Sequence, residues 1–136
     1  CRAAIEGRAD SDLKLLFVTV LTSIDDADLR REGYARTLSE LVLDRTDAVL
    51  AAGGDGVVAA GAEAAAIRRR AGDRLLIVTP GIRPAGAEAQ DQKRVATPAG
   101  AVAAGADYLV VGRPVTAAAD PAAAAEAIVA EIRSAA

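Results

Sequence analysis

Two short segments carry the residues best suited to hold an anion. Thr79-Pro80-Gly81-Ile82-Arg83-Pro84 and Val111-Gly112-Arg113-Pro114 each follow or close an apolar run, and each sets an arginine beside a glycine and a proline. Glycine lets the backbone turn tightly or approach a ligand closely. Proline stiffens the turn by fixing φ. The planar fork of the arginine then matches a phosphate bidentately. Alone, the first loop has an equally good plain reading, a capped turn whose arginine pairs with a carboxylate. Repetition of the same grammar after a second apolar run favours a phosphate site shared by both loops.

Other polar residues lie nearby in the pattern. Asp91-Gln92-Lys93-Arg94-Val95 sits in a polar stretch from Ala85 to Ala96, of the length that lids use. Gln92 can donate to a phosphate or to a base carbonyl. Lys93 and Arg94 read as solvated charge, as does the run Arg68-Arg69-Arg70 on a helix face. Thr22-Ser23 can bond a ligand or cap the next helix, and spacing alone favours capping. Glu63 reads as a first-turn helix acid rather than a catalyst.

What the chain lacks narrows the chemistry. It has no histidine, which removes Ser-His and Cys-His nucleophile pairs and most zinc sites. No Lys/Asp cluster stands at a strand end, so the chain reads as one that holds a ligand rather than transforms it; no catalytic residue, metal or cofactor is assigned. With 16 basic against 19 acidic side chains and no basic stripe, nucleic acid is not an expected partner. The single cysteine, Cys1, permits no internal disulfide, which suits a reducing cytoplasm. No apolar run is long enough to span a bilayer, and a membrane is not expected either. There is no methionine, and the chain opens mid-pattern with a short helical piece at Arg2–Gly7, so it reads as a fragment or one piece of a divided protein.

The elements that must position these residues alternate. Four apolar runs read as buried strands: Leu13–Leu21, Gly56–Ala60, Leu75–Thr79 and Tyr108–Val111. They are continuous, as strands buried on both faces are. Helices are expected from Asp28 to about Ala52 with a break near Gly33, over Ala62–Ala71, from Thr97-Pro98 to Gly105, and from Asp120-Pro121 to the chain end. Residues 51–58 and 103–110 repeat one unit, a helix ending on glycine, an aspartate, and a buried strand. Strand–helix alternation dictates parallel strands and right-handed crossovers. A doubly wound sheet wants a glycine-rich turn after its first strand, and Thr22-Ser23-Ile24-Asp25-Asp26 has none. A barrel places chemistry after every strand, but needs roughly 200–250 residues and eight strands. The fold class is therefore α/β, with residues 1–136 forming half of a (β/α)₈ barrel and candidate phosphate loops at 79–98 and 111–116.

These segments resemble a known family. VTVLTS at 18–23, GVVAAG at 56–61, VTPGIRP at 78–84, DQKRVATP at 91–98 and ADYLVVGRPVT at 106–116 are similar to orotidine 5′-phosphate decarboxylase of the bacterial type, in order along nearly the whole chain. The resemblance implies a (β/α)₈ barrel acting as a homodimer, which converts orotidine 5′-monophosphate to uridine 5′-monophosphate (UMP) without metal or cofactor. It implies that this chain corresponds to strands five to eight, the C-terminal half. The family's catalytic Asp-x-Lys-x-x-Asp motif has no counterpart here. By the same resemblance Arg83, Gly112 and Arg113 contact the phosphate, Gln92 bridges phosphate and pyrimidine, and Thr22 and Ser23 lie near the ring. Ala59-Ala60-Gly61 departs from the family's usual Cys/Ala-Ser-Pro/Gly. Implied partners are a nucleotide monophosphate and either a second copy or the missing half barrel. Two alternatives stand beside this: a non-catalytic half-barrel module for phosphate binding or assembly, and a sugar-phosphate enzyme of the same barrel group, against which the DQ-x-R segment argues.

Overall fold

The apolar runs form a parallel sheet of four strands in chain order: β1 (Leu16–Val18), β2 (Gly56–Val58), β3 (Leu76–Thr79) and β4 (Tyr108–Leu109). The structure is a computed structural model and describes residues 1–84 and 94–135. In register, Phe17 lies opposite Val57 and Val57 opposite Ile77, while Val58 opposes Val18 and Val78 opposes Tyr108. The strands are shorter than the apolar runs. Single hydrogen bonds extend the ladder past them, from Thr19 N to Val58 O and from Val110 N to Thr79 O. Among the described residues β1 and β4 each have one strand neighbour.

Between and around the strands lie α1 (Arg2–Arg8), α2 (Asp26–Arg31), α3 (Leu38–Ala52), α4 (Gly61–Ala71), α5 (Pro98–Ala103), α6 (Arg113–Thr116) and α7 (Pro121–Arg133). The expected break near Gly33 is present: Gly33 has φ 85°, and α3 restarts behind a Thr37–Glu40 capping box. Gly53 ends α3 in the left-handed region. Thr97 and Asp120 cap α5 and α7 by accepting from the amides of Gly100 and Ala123. The short α6 falls where the sequence predicts a loop, because four residues carry no helical periodicity.

One sheet face is packed, and the other is exposed at its edge strands β1 and β4 while Val78 of β3 is buried on it. Val57 and Ile77 are fully buried against Val42, Val49, Ala64 and Ile67 from α3 and α4. On the opposite side Val18 is 56% exposed and Tyr108 59%. The expectation of strands covered on both faces therefore fails for β1 and β4, since the described helices pack on one side.

The repeated unit has a structural meaning at the amino ends of the strands. Asp55 accepts from Leu15 N at 2.9 Å, and its own amide donates to Leu15 O. Asp107 does the same with Ile77, accepting at 2.7 Å. Each aspartate thus fastens the start of the preceding strand, and each pairs with an arginine, Arg8 or Arg68. Hydrogen bonds from Leu15 N and then Lys14, opposed by burial, hold the Asp55 carboxyl below its ordinary value. Arg68 is not the solvated side chain its run suggested: it donates to the carbonyl of Gly105 and pairs with Asp107. Arg70 pairs with Asp47 at the surface.

Candidate functional site

The carboxyl ends of the parallel strands share one edge, and the loops leaving them meet there. After β3, Gly81 turns the chain with φ 73°, a conformation that suits glycine. Ile82 is fully buried and pairs with Ala96 in a parallel bridge. Arg83 N donates to Ala96 O at 2.9 Å, and Ala96 N to Gly81 O at 3.3 Å. The loop is therefore stitched shut at its base. Arg83 is 7% exposed, with Nη1 donating to Ile82 O at 2.9 Å. After β4, Gly112 caps α6 and Arg113 is its first residue.

Thr22, Arg83, Gly112 and Arg113 line one cleft, with Pro80 and Gly81 in its wall. Its volume is about 190 Å³. Pockets for drug-sized ligands run to roughly 300–1,000 Å³, so this cleft fits one anionic group rather than a whole nucleotide. A larger cavity of about 570 Å³ opens on the flank of β1 beside α2 and α3. It holds none of the four residues, and it is the open side of an edge strand rather than a point where loops converge.

Of the six candidates, these four come together. Ser23 is exposed and does not line the cleft. Gln92 lies outside the described residues. The capping role open to Thr22-Ser23 falls instead to Asp25, which accepts from Asp28 N at 2.9 Å while Asp28 accepts from Asp25 N. The cap must directly precede the first helical residue, Asp26, and Thr22-Ser23 come too early.

Arg94, expected as solvated charge, packs instead against Glu63, which is the first-turn acid of α4 that the sequence predicts. Arg94 Nη1 lies 2.6 Å from Glu63 Oε2, with side chains 12% and 7% exposed. They meet as charges rather than as an aligned hydrogen bond, since neither atom makes one. Arg94 Nη2 also donates to the carbonyls of Val20, at 3.2 Å, and Leu21, at 2.9 Å. Spacing could not bring Glu63 and Arg94 together, because they meet across two strand ends. A legible signal was Gly61: a Cβ there would lie 2.4 Å from Ala96 Cβ, so glycine lets the 94–96 segment cross the start of α4. Among the described residues no group of three His, Cys, Asp or Glu side chains is placed to hold a metal ion. No described helix is long and apolar enough to cross a membrane.

Comparison with known proteins fits this geometry. The model of the orotidine 5′-phosphate decarboxylase / HUMPS family matches residues 1–128. An orotidine 5′-phosphate decarboxylase of Methylobacterium nodulans is 60% identical across 98% of this chain and 58% of its own length. One from Rhodopseudomonas palustris is 60% identical across 98% of this chain and 57% of its own. The chain thus spans rather more than half of the relatives it matches. Among solved structures, the Lactobacillus acidophilus orotidine 5′-phosphate decarboxylase superposes with a TM-score of 0.73 at 41% identity, covering 91% of this chain and 51% of that one. An uncharacterized conserved protein of Geobacillus kaustophilus gives 0.74 at 34% identity, covering 96% and 57%. The fold is that of a (β/α)₈ barrel, of which the four parallel strands make about half.

Proposed function

The chain belongs to the orotidine 5′-phosphate decarboxylase / HUMPS family, and from that premise we propose that it supplies the C-terminal, phosphate- and pyrimidine-binding half of an orotidine 5′-phosphate decarboxylase. The observation that carries this is the convergence of Thr22, Arg83, Gly112 and Arg113 on one small cleft. Arg83 and Arg113 offer charge-assisted donors to a phosphate. Gly112 lets the backbone come close to it. Thr22 and Ser23 face the pyrimidine side, and Gln92 bridges the two ends. Energy from gripping the remote phosphate organises the reacting end of orotidine 5′-monophosphate. The Lys and Asp groups that perform the decarboxylation belong to the part of the relatives that this chain does not span.

The open sheet supports a division of this kind. Leu16, Val18, Tyr108 and Val110 are 41–59% exposed on or beside β1 and β4, and among the described residues each of these strands has one strand neighbour. Exposed apolar residues on two edge strands, each unpaired on one side among the described residues, make a surface for pairing. Its occupant is the complementary half barrel or a second copy of this chain.

Loss of orotidine 5′-monophosphate absorbance tests the proposal. The chain alone is expected to give no turnover. Mixed with the complementary segment of the Methylobacterium nodulans relative, it is expected to give turnover. Decarboxylation by the chain alone would overturn the division of labour. A well-formed mixed assembly without activity would overturn the assignment itself.

A further inference from the structure

We infer that Arg94, seated by Glu63, is a positioning residue that sets the Thr22-Ser23 turn for the uridine part of the ligand while the phosphate grip stands independently. This rests on the function proposed above. The starting observation is that a charged pair is kept out of water, with side chains 12% and 7% exposed. Burying two charges is costly, and an apolar pair of similar volume would usually serve stability as well or better. Such pairs are best explained by a registry they impose.

The registry here is specific. Arg94 Nη1 reaches Glu63, which follows β2, while Nη2 reaches the carbonyls of Val20 and Leu21 at the end of β1. Two residues on, Ala96 is bonded to Gly81 and Arg83 after β3. One guanidinium therefore joins the ends of β1 and β2, and the backbone two residues on is bonded to the loop after β3. Its planar fork can hold an acid and two carbonyls together, and the point charge of a lysine cannot. The carbonyls it holds belong to the residues immediately before Thr22. Arg83, by contrast, is held by its own bonds to Ala96 O and Ile82 O. Loosening Arg94 therefore frees the turn that faces the base and leaves Arg83 in place.

The test compares two probes, UMP and inorganic phosphate, titrated into the chain and its variants. Arg94→Lys and the near-isosteric Glu63→Gln are each expected to weaken UMP by about tenfold and to leave inorganic phosphate within about twofold. Arg83→Ala is expected to weaken both probes. A purely structural role for the pair predicts equal loss of both in Arg94→Lys, and that result, or no loss of either, would overturn the inference. Glu63→Gln decides the matter if Arg94→Lys does not fold. An unmodified chain that binds neither probe would overturn the proposed function and this inference with it; an unmodified chain that binds both, with variants that keep the UMP-to-phosphate ratio, overturns the inference alone.

Discussion

Gly61→Ala places the smallest possible perturbation beneath the candidate site. The added Cβ would lie 2.4 Å from Ala96 Cβ, against roughly 3.5–4.0 Å for relaxed carbon contacts. About 1 Å of movement is needed, and Ala96 has no flexible side chain to give. The segment must move, and it is bonded through Ala96 N to Gly81 O at 3.3 Å and through Ala96 O to Arg83 N at 2.9 Å. Losing both bonds costs about 1–3 kcal/mol, the range also found for overpacking. Alanine returns at most about 1 kcal/mol of helix propensity, and less at a first helical position. The expected net loss is about 1–2 kcal/mol, read as a lower urea midpoint by circular dichroism with an unchanged slope. UMP should also bind more weakly, since Arg83 N loses its acceptor. Gly7→Ala is the internal control: nothing lies within 4 Å of its added Cβ, and it sits in α1. It should be neutral or stabilising by up to about 1 kcal/mol. Equal behaviour of the two variants would refute the steric reasoning.

Further outcomes follow from the amino-end clamp and the open face. Asp55 has a lowered carboxyl value in the folded chain, so its contribution is present above the ordinary aspartate value of 3.8 and is lost as pH falls through the lowered value. Asp55→Asn should cost about 1 kcal/mol at neutral pH and flatten the acid limb of a pH–stability curve; an unchanged acid limb would contradict the clamp. Val18→Lys places a charge on the open sheet face, where Val18 is 56% exposed. The unmodified chain is expected to sediment as a paired species and Val18→Lys as a monomer, and a pair that survives the substitution would move the interface elsewhere. Arg113→Ala is expected to abolish UMP binding in an isothermal titration, and unchanged affinity would remove Arg113 from the phosphate site.

Much of the fold was legible because its signals are local. Thr97-Pro98 and Asp120-Pro121 start helices, and Gly53 ends one, through bonds within a few residues. The repeated aspartates were visible as a pattern, but their shared task, holding Leu15 N and Ile77 N, needed the register. The cleft was legible for a topological reason: parallel strands bring every carboxyl end to one edge, so residues far apart in sequence must gather there. The Glu63–Arg94 pair was not, because separate loops meet only once the strands are aligned. Thr22 and Ser23 part because a turn aims adjacent side chains apart: Thr22 lines the cleft and Ser23 is exposed beside it.

In the proposed function, Arg83 and Arg113 form a grip for the phosphate of a uridine nucleotide. Parallel calorimetric titration of the chain with UMP and with uridine tests it most directly. UMP is expected to bind measurably and uridine at least about tenfold more weakly. Equal affinity for the two, or binding of uridine alone, would contradict it.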